Sequence, residues 1–300
     1  MRPSIVTFPP EGVQPIGIIE FVHGMCEHKG RYLETMKEFN RRGYICAIAD
    51  LRGHGDNALS DEDLGYFGRE GYRALIDDVY DYTLFLKREY PNLPLILFGH
   101  SMGSLIVRTF VKRHSDDVDA LIVCGSPSKV AVTGLAKLLI RITALFRGWR
   151  HRSPLLTNMV FSSYERPFRN EGILNSWLCT DRNVVDAYNK DPKCGFMFTL
   201  NGYKALMNLL KQTYSRKGYR MLNRLLPVMF ISGEDDPCKR SNNAFKKSVT
   251  HMKRCGFKNV YYKLYPGLRH EIMNEPDNKE VYDDIMKFLE VKAGLINSQS

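Results

Sequence analysis

A single serine in this 300-residue chain sits where few side chains fit. In "LILFGHSMGSLIVRTF", residues 95–110, one apolar run stops at Gly99 and another starts after Gly103, and Ser101 lies between them, two residues from each glycine. A strand, Gly-His-Ser-Met-Gly and then a helix form the pattern of a nucleophile elbow, a strained turn whose flanking positions leave no room for a Cβ. The turn lifts Oγ above the carboxyl edge of the sheet and aims a helix N-terminus at whatever the serine attacks.

A serine hydroxyl is nucleophilic only when a base takes its proton, so an acid and then a histidine are required, each just after a later strand. The strand "LPVMFIS" is followed by "GEDDPC", which carries Asp235 and Asp236. The strand "VYYKLY" is followed by "PGLRHEIMNE", which carries His270. In that order His270 serves as general base and then general acid, while a carboxylate holds its tautomer and stabilises the imidazolium. The oxyanion hole calls for the N–H of the residue after the nucleophile, Met102, and one from an early loop. In "FVHGMCEH", Gly24 permits close backbone approach and Met25 supplies the second N–H.

The elements that must hold these residues alternate. "IGIIEFV", "YICAIA", "LPLILF", "VDALIVC", "LPVMFIS" and "VYYKLY" read as buried strands. "YLETMKEFNRRG", "GYRALIDDVYDYTLFLKREY", "SLIVRTFVKRH" and a last segment from Lys279 to Lys292 read as helices. Strands alternating with helices predict an α/β fold with a mostly parallel sheet covered on both faces. From Ser126 to Tyr219 no strand pattern is found, which predicts a helical cap inserted into the α/β domain. The expected division is core 1–127, cap 128–218 and core 219–300.

Composition bounds the rest. Hydrophobic residues make up 44 % and charged residues 25 %, a globular balance with no run of 18 apolar residues for a transmembrane helix. "MRPSIVTFPP" lacks a signal-peptide core, and the seven scattered cysteines form no CxxC pair, so reduced thiols in a cytoplasmic protein are expected. The net charge of +10 comes without a Lys/Arg tract or a nucleic-acid module, which leaves an anionic lipid surface or substrate as the partner of that charge. No His/Asp/Glu grouping has metal-site spacing, and no P-loop or dinucleotide fingerprint is present, so no metal and no cofactor are expected. His114, His151 and His251 read as helix-end or surface residues, and His23, His54 and His100 as parts of their local turns.

The set "HGMCEHKGRY", "ADLRGHGDN", "LGYFG", "GHSMG", "DPKCGFMFT", "SGEDDP" and "YPGLRHEIMNE" resembles the monoacylglycerol lipase and lysophospholipase branch of the α/β-hydrolases, over residues 16 to 292. The resemblance implies Ser101 as nucleophile, His270 as base and Met25 and Met102 as oxyanion donors. It implies Asp236, three residues after Gly233, as the acid, with Asp235 as the alternative. Glu27, His28 and Arg31 match a polar cluster behind the oxyanion loop, read here as a structural hydrogen-bond network. Two positions depart from the branch's usual motif: Leu51 stands for a His and Asn57 for a Ser, in a turn read as structural. Only "SIVTF" precedes the first core strand, where relatives carry a two-strand hairpin.

Within the insertion, Leu135, Leu138, Leu139, Ile142 and Phe146 recur at helical spacing, with Lys137, Arg141 and Arg147 outside the stripe. This helix either packs on the core or borders an acyl tunnel and touches anionic headgroups. Phe161, Tyr164, Phe168, Trp177, Phe196 and Phe198 either surround an acyl chain or form the cap's own core. The implied activity is a serine carboxylester hydrolase acting on single-chain lipids such as lysophospholipid or monoacylglycerol. The alternatives are a short-chain esterase or thioesterase, and a catalytically silent binding module.

Overall fold

The computed structural model describes residues 4–130 and 133–295. Strands β1 (Ser4–Thr7), β2 (Gly17–Val22), β3 (Tyr44–Ala49), β4 (Leu95–His100), β5 (Ala120–Cys124), β6 (Val228–Gly233) and β7 (Val260–Tyr265) form one sheet in the order β1-β3-β2-β4-β5-β6-β7. β1 pairs antiparallel with β3, and every other pairing is parallel. The expected α/β architecture is therefore present, with a single strand ahead of β2 among the described residues.

Buried residues cover both faces because the strands are apolar on both sides. Along β4, Leu95 and Leu97 face one core layer, and Ile96 and Phe98 face the other. Helices α1 (Leu33–Arg41) and α9 (Lys279–Lys287) seal one layer with Met36, Phe39, Tyr282 and Ile285. Helices α2 (Tyr72–Glu89), α3 (Met102–Phe110) and α8 (Asn242–Arg254) seal the other with Leu75, Leu105, Phe110 and Phe245. Each such side chain, taken fully out of water, contributes about 1.5–3 kcal/mol. The last helix is shorter than its expected reach to Lys292: after Lys287 the chain widens into a π-helical turn over Phe288–Lys292, which keeps both Phe288 and Leu289 buried.

Between β5 and β6 lie α4 (Thr133–Arg147), α5 (Pro154–Glu165), α6 (Arg182–Lys190) and α7 (Leu200–Thr213). Among the described residues of this stretch, the one β contact is an isolated bridge from Arg152 to Thr199. Helix α7 packs on α3, which links the helices between β5 and β6 to the element that follows Ser101. The apolar stripe of α4 does not pack inward. Ala136, Ile140 and Ala144 are its buried positions, whereas Leu135 is 62 % and Phe146 79 % exposed. The small alanines let the helix lie close to its neighbours and turn the larger residues outward.

Candidate active site

Ser101 stands between β4 and α3 with φ 52° and ψ −116°, a strained conformation for a residue with a Cβ. Its N–H donates to the Cys124 carbonyl at 3.0 Å, anchoring the turn to β5. The two glycines around it are required by contact. A Cβ on Gly99 would lie 2.6 Å from the Gly103 carbonyl oxygen, and one on Gly103 would lie 2.0 Å from that of Val22.

His270 and Asp236 converge from the loops after β7 and β6. His270 Nδ1 is 3.0 Å from Asp236 Oδ1, and both residues are buried. Asp236 Oδ1 also accepts from the Cys238 N–H at 2.8 Å, and Oδ2 from Ser232 Oγ at 2.9 Å. Burial by itself would raise the Asp236 pKa. The charge and hydrogen bond of His270, with these other donors, more than offset it and hold the carboxyl below its ordinary value. Asp235, by contrast, is exposed and meets the Leu268 carbonyl only through its backbone N–H.

Ser101 and His270 line one cavity of about 590 Å³, together with Met25, Met102, Leu105, Phe161, Tyr164, Trp177 and residues of α7. His270 lies between two rings, Trp177 at 5.1 Å and His100 at 4.7 Å between centroids. The neighbour of its Nε2 among the described contacts is Cys238 Sγ at 3.9 Å. Burial pushes that thiol's pKa well up, so it is a neutral neighbour. Of the six aromatics singled out between β5 and β6, Phe161, Tyr164 and Trp177 reach this cavity. Phe168 instead lies under the Arg269 guanidinium, while Phe196 and Phe198 pack edge-on to His54, so these three are packing residues.

The loop carrying Met25 is pinned on both sides. Gly24 N–H donates to Glu27 Oε1 at 2.6 Å, and Cys26 N–H to His54 Nε2 at 3.3 Å. His23 Nε2 accepts from Leu51 N–H at 2.8 Å, while its Nδ1 meets the Gly24 carbonyl at 2.9 Å. Burial lowers the pKa of His23, and that of His54 to about 3, so both rings stay neutral and can accept as well as donate. By sequence these two histidines read as parts of their local turns. The tie of His23 to Leu51 and of His54 to Cys26 spans 28 residues each, which no local pattern shows. The departures at Leu51 and Asn57 fit the same picture: Leu51 takes part through its backbone, and Asn57 Nδ2 donates to the Asp50 carbonyl. On the other side of the elbow, Met102 begins α3, where the first N–H groups have no intrahelical acceptor.

Glu27 and Arg31 do form a hydrogen-bond network. Arg31 binds Glu271 through two bonds of 2.6 and 2.7 Å and Glu27 at 2.9 Å, and Glu27 reaches His100 at 3.3 Å. His28 turns away to Asp191 at 2.8 Å.

Two groupings that spacing in the sequence did not reveal have ligand atoms within 4.8 Å of one another: His28, Asp191 and Cys194, and Asp236, Cys238 and His270. In each, the His and the carboxylate are already bonded to one another, and burial pushes the thiol pKa up, away from the thiolate a metal needs.

A parallel sheet with helices on both faces and a strained serine at the strand-to-helix turn defines an α/β-hydrolase. Residues 13–277 match the hydrolase family described as serine aminopeptidase, S33, and the chain belongs to that family. It is similar to a monoacylglycerol lipase of Mycolicibacterium smegmatis, 26 % identical over 92 % of this chain and 88 % of the relative. It is also similar to the phospholipase YtpA of Bacillus subtilis, 23 % identical over 90 % of this chain and 93 % of that protein. Among solved structures, a thermostable carboxyl esterase from Bacillus coagulans shares the fold with a TM-score of 0.87 at 24 % identity, covering 97 % of this chain and 94 % of the esterase.

Proposed function

We propose that this protein is a serine carboxylester hydrolase acting on single-acyl-chain lipids. In this reading Ser101 attacks the ester carbonyl, His270 takes its proton and passes it to the leaving alcohol, and Asp236 holds the imidazole. The backbone N–H groups of Met25 and Met102 carry the oxyanion charge. His270 then activates water, which releases the acid and restores Ser101. The Ser101–His270 hydrogen bond is expected to close with substrate bound, as such bonds commonly do. The 128–218 insertion is read as the cap over the site.

The observation that carries this reading is the shared cavity: a strained serine and a histidine backed by a buried aspartate line one space whose walls are mostly apolar. An acyl chain finds hydrocarbon and ring surfaces there, Leu105, Leu206, Met207 and Leu210 among them. The family description names a peptidase, but an aminopeptidase needs a free carboxylate for the substrate's ammonium. Glu27 and Glu271, the acidic residues lining this cavity, both bond to Arg31. The names of the relatives agree with a lipid ester as substrate.

The exposed stripe of α4 favours its role at a lipid surface, with Lys137, Arg141 and Arg147 supplying attraction to anionic headgroups. No helix among the described residues is long and apolar enough to cross a membrane.

The test is fatty-acid release from a monoacylglycerol and a lysophosphatidylcholine of equal chain length, with Ser101→Ala as blank, beside labelling by a serine-reactive phosphonate. Labelling and release that Ser101→Ala abolishes support the reading. Cleavage of a short soluble ester alone removes the lipid assignment, and no labelling of folded protein makes the chain a binding module.

A further inference from the structure

Arg240 is the one lysine or arginine that lines the cavity at Ser101 among the described residues. It follows the acid loop directly, since the short turn Pro237–Lys239 runs from Asp236 into it. Its backbone is held at φ 66° and ψ −45°, with the Ser241 N–H donating to the Lys239 carbonyl at 2.8 Å across it. Such a three-residue turn strains any residue with a Cβ, so an arginine stands where glycine would cost least. The residue is exposed, as are Met159, Ser163 and Pro167 of the same lining, which places it at the rim. Burial pushes the Tyr164 pKa well up, and the Arg240 charge, near enough to this ring of the cavity wall, opposes that rise. The side-chain bond of Arg240 is a long one, 3.4 Å to the Lys129 carbonyl, so most of its N–H donors are unspent. Lys129, itself exposed, lies between the lining residues Ser128 and Val130, and neither cation has a carboxylate partner among the described residues. Glu27 and Glu271 supply no counter-charge, because Arg31 takes both.

An unpaired guanidinium at the mouth of an apolar cavity favours an anion on whatever enters. Its planar fork of donors matches phosphate oxygens, which it binds through paired, charge-assisted bonds. An acyl chain fills the apolar walls and brings no charge, so the anion belongs to the alcohol side of the ester. We propose that Arg240 is the headgroup-reading residue of this site and selects single-chain esters whose glycerol carries a phosphate over the same esters without one. Lys129 adds to the positive potential at that rim without a contact of its own. The proposal rests on the hydrolase reading for the ester, while the phosphate contact is separable from cleavage. Arg240 touches the headgroup and not the reacting atoms, so its loss is read in KM rather than in kcat.

The probes are decanoyl monoacylglycerol and decanoyl lysophosphatidate for cleavage, and the corresponding non-cleavable decyl ethers for binding, all kept below their micelle concentrations. In the wild type kcat/KM is expected to favour the phosphate-bearing ester by about tenfold. Arg240→Gln is expected to lower that ratio by about tenfold through KM, with Arg240→Lys between the two. Arg240→Gly, which relaxes the turn, is expected to show the same loss at a thermal midpoint no lower than that of the wild type. Arg182→Gln on α6 removes an exposed charge elsewhere and is expected to hold the wild-type ratio. A ratio unmoved in Arg240→Gln overturns the proposal, and an equal fall in Arg182→Gln does so too, by assigning the effect to net charge. Ether binding, followed through the fluorescence of Trp177 in the cavity wall, decides the question if neither ester is cleaved. If the phosphate ether then binds about tenfold tighter and loses that advantage in Arg240→Gln, the hydrolase reading falls and the phosphate contact stands. Equal binding of the two ethers, or none, overturns the role of Arg240.

Discussion

Gly103 lies against the carbonyl oxygen of Val22, so close that a Cβ on it would sit 2.0 Å from that oxygen and 2.6 Å from the His23 oxygen. The helix after the serine thus presses on the strand that leads into the Met25 loop. Because both obstacles are backbone, Gly103→Ala is expected to cost about 3 kcal/mol or more, seen as a lower urea midpoint. Gly134, on α4, has nothing within 4 Å of its Cβ position, and Gly134→Ala is expected to stabilise by about 0.5–1 kcal/mol.

The two aspartates of "GEDDPC" separate cleanly. Asp236→Asn is expected to lower kcat on a soluble ester by about 10⁴-fold while the protein stays folded, since the amide favours the wrong imidazole tautomer. Asp235→Asn, at an exposed position, is expected to leave kcat within about twofold. The reverse pattern would move the acid role to Asp235.

Glu20 is protonated in the fold and ionised in the unfolded chain between its ordinary value and about 8. Over that window the folded state binds more protons, so stability falls as pH rises from about 4.5 towards 8 and then levels off. Glu20→Gln removes the penalty, on the order of 3 kcal/mol at pH 7. Its thermal midpoint is expected to rise above that of the wild type near neutrality and to match it near pH 4.5.

Glu27 and His100 form a buried pair at 3.3 Å. Burial opposes both charges, but His100 and Arg31 hold the Glu27 pKa down, and Glu27 holds the His100 pKa up. The Glu27 contribution is full above its unfolded value and is lost as pH falls through the depressed one. The His100 contribution is full below about pH 6.5 and is lost as pH rises through the raised one. In His100→Asn, unfolding scans are expected to lose the stability maximum between about pH 4.5 and 6.5 that this pair supplies.

Leu145 and Phe146, 81 % and 79 % exposed, give the lipid-surface reading its own test. The double change Leu145→Ser, Phe146→Ser is expected to leave the thermal midpoint nearly unchanged and to reduce sedimentation with anionic vesicles at low salt. Wild-type recovery that is equal with neutral vesicles, or insensitive to salt, would sink the idea.

Much of the fold was legible because its signals are local. Six apolar strand runs, Gly43 after α1 and Pro91 after α2 mark their elements within a few residues. Ser101 was legible for the same reason, as its glycines are two residues away. Helix α8 is not legible, because "NNAFKKSVTHMKR" carries few apolar positions, and its buried face is set by what it packs on. The stripe of α4 was legible as a stripe, but its direction was not, since periodicity finds a face and packing decides where the face points.

The order of Ser101, an aspartate of "GEDDPC" and His270, and the turn types around them, belong to the sequence, because a strained turn admits few residues and a parallel sheet delivers its loops to one edge. The tertiary structure alone brings Asp236 rather than Asp235 to His270, sends Trp177 across the imidazole, ties His23 and His54 to the Met25 loop, and buries Glu20 against Thr83. Those outcomes depend on hydrogen bonds and burial between segments distant along the chain, where the three-dimensional packing, and not the neighbouring residues, decides which polar group finds a partner.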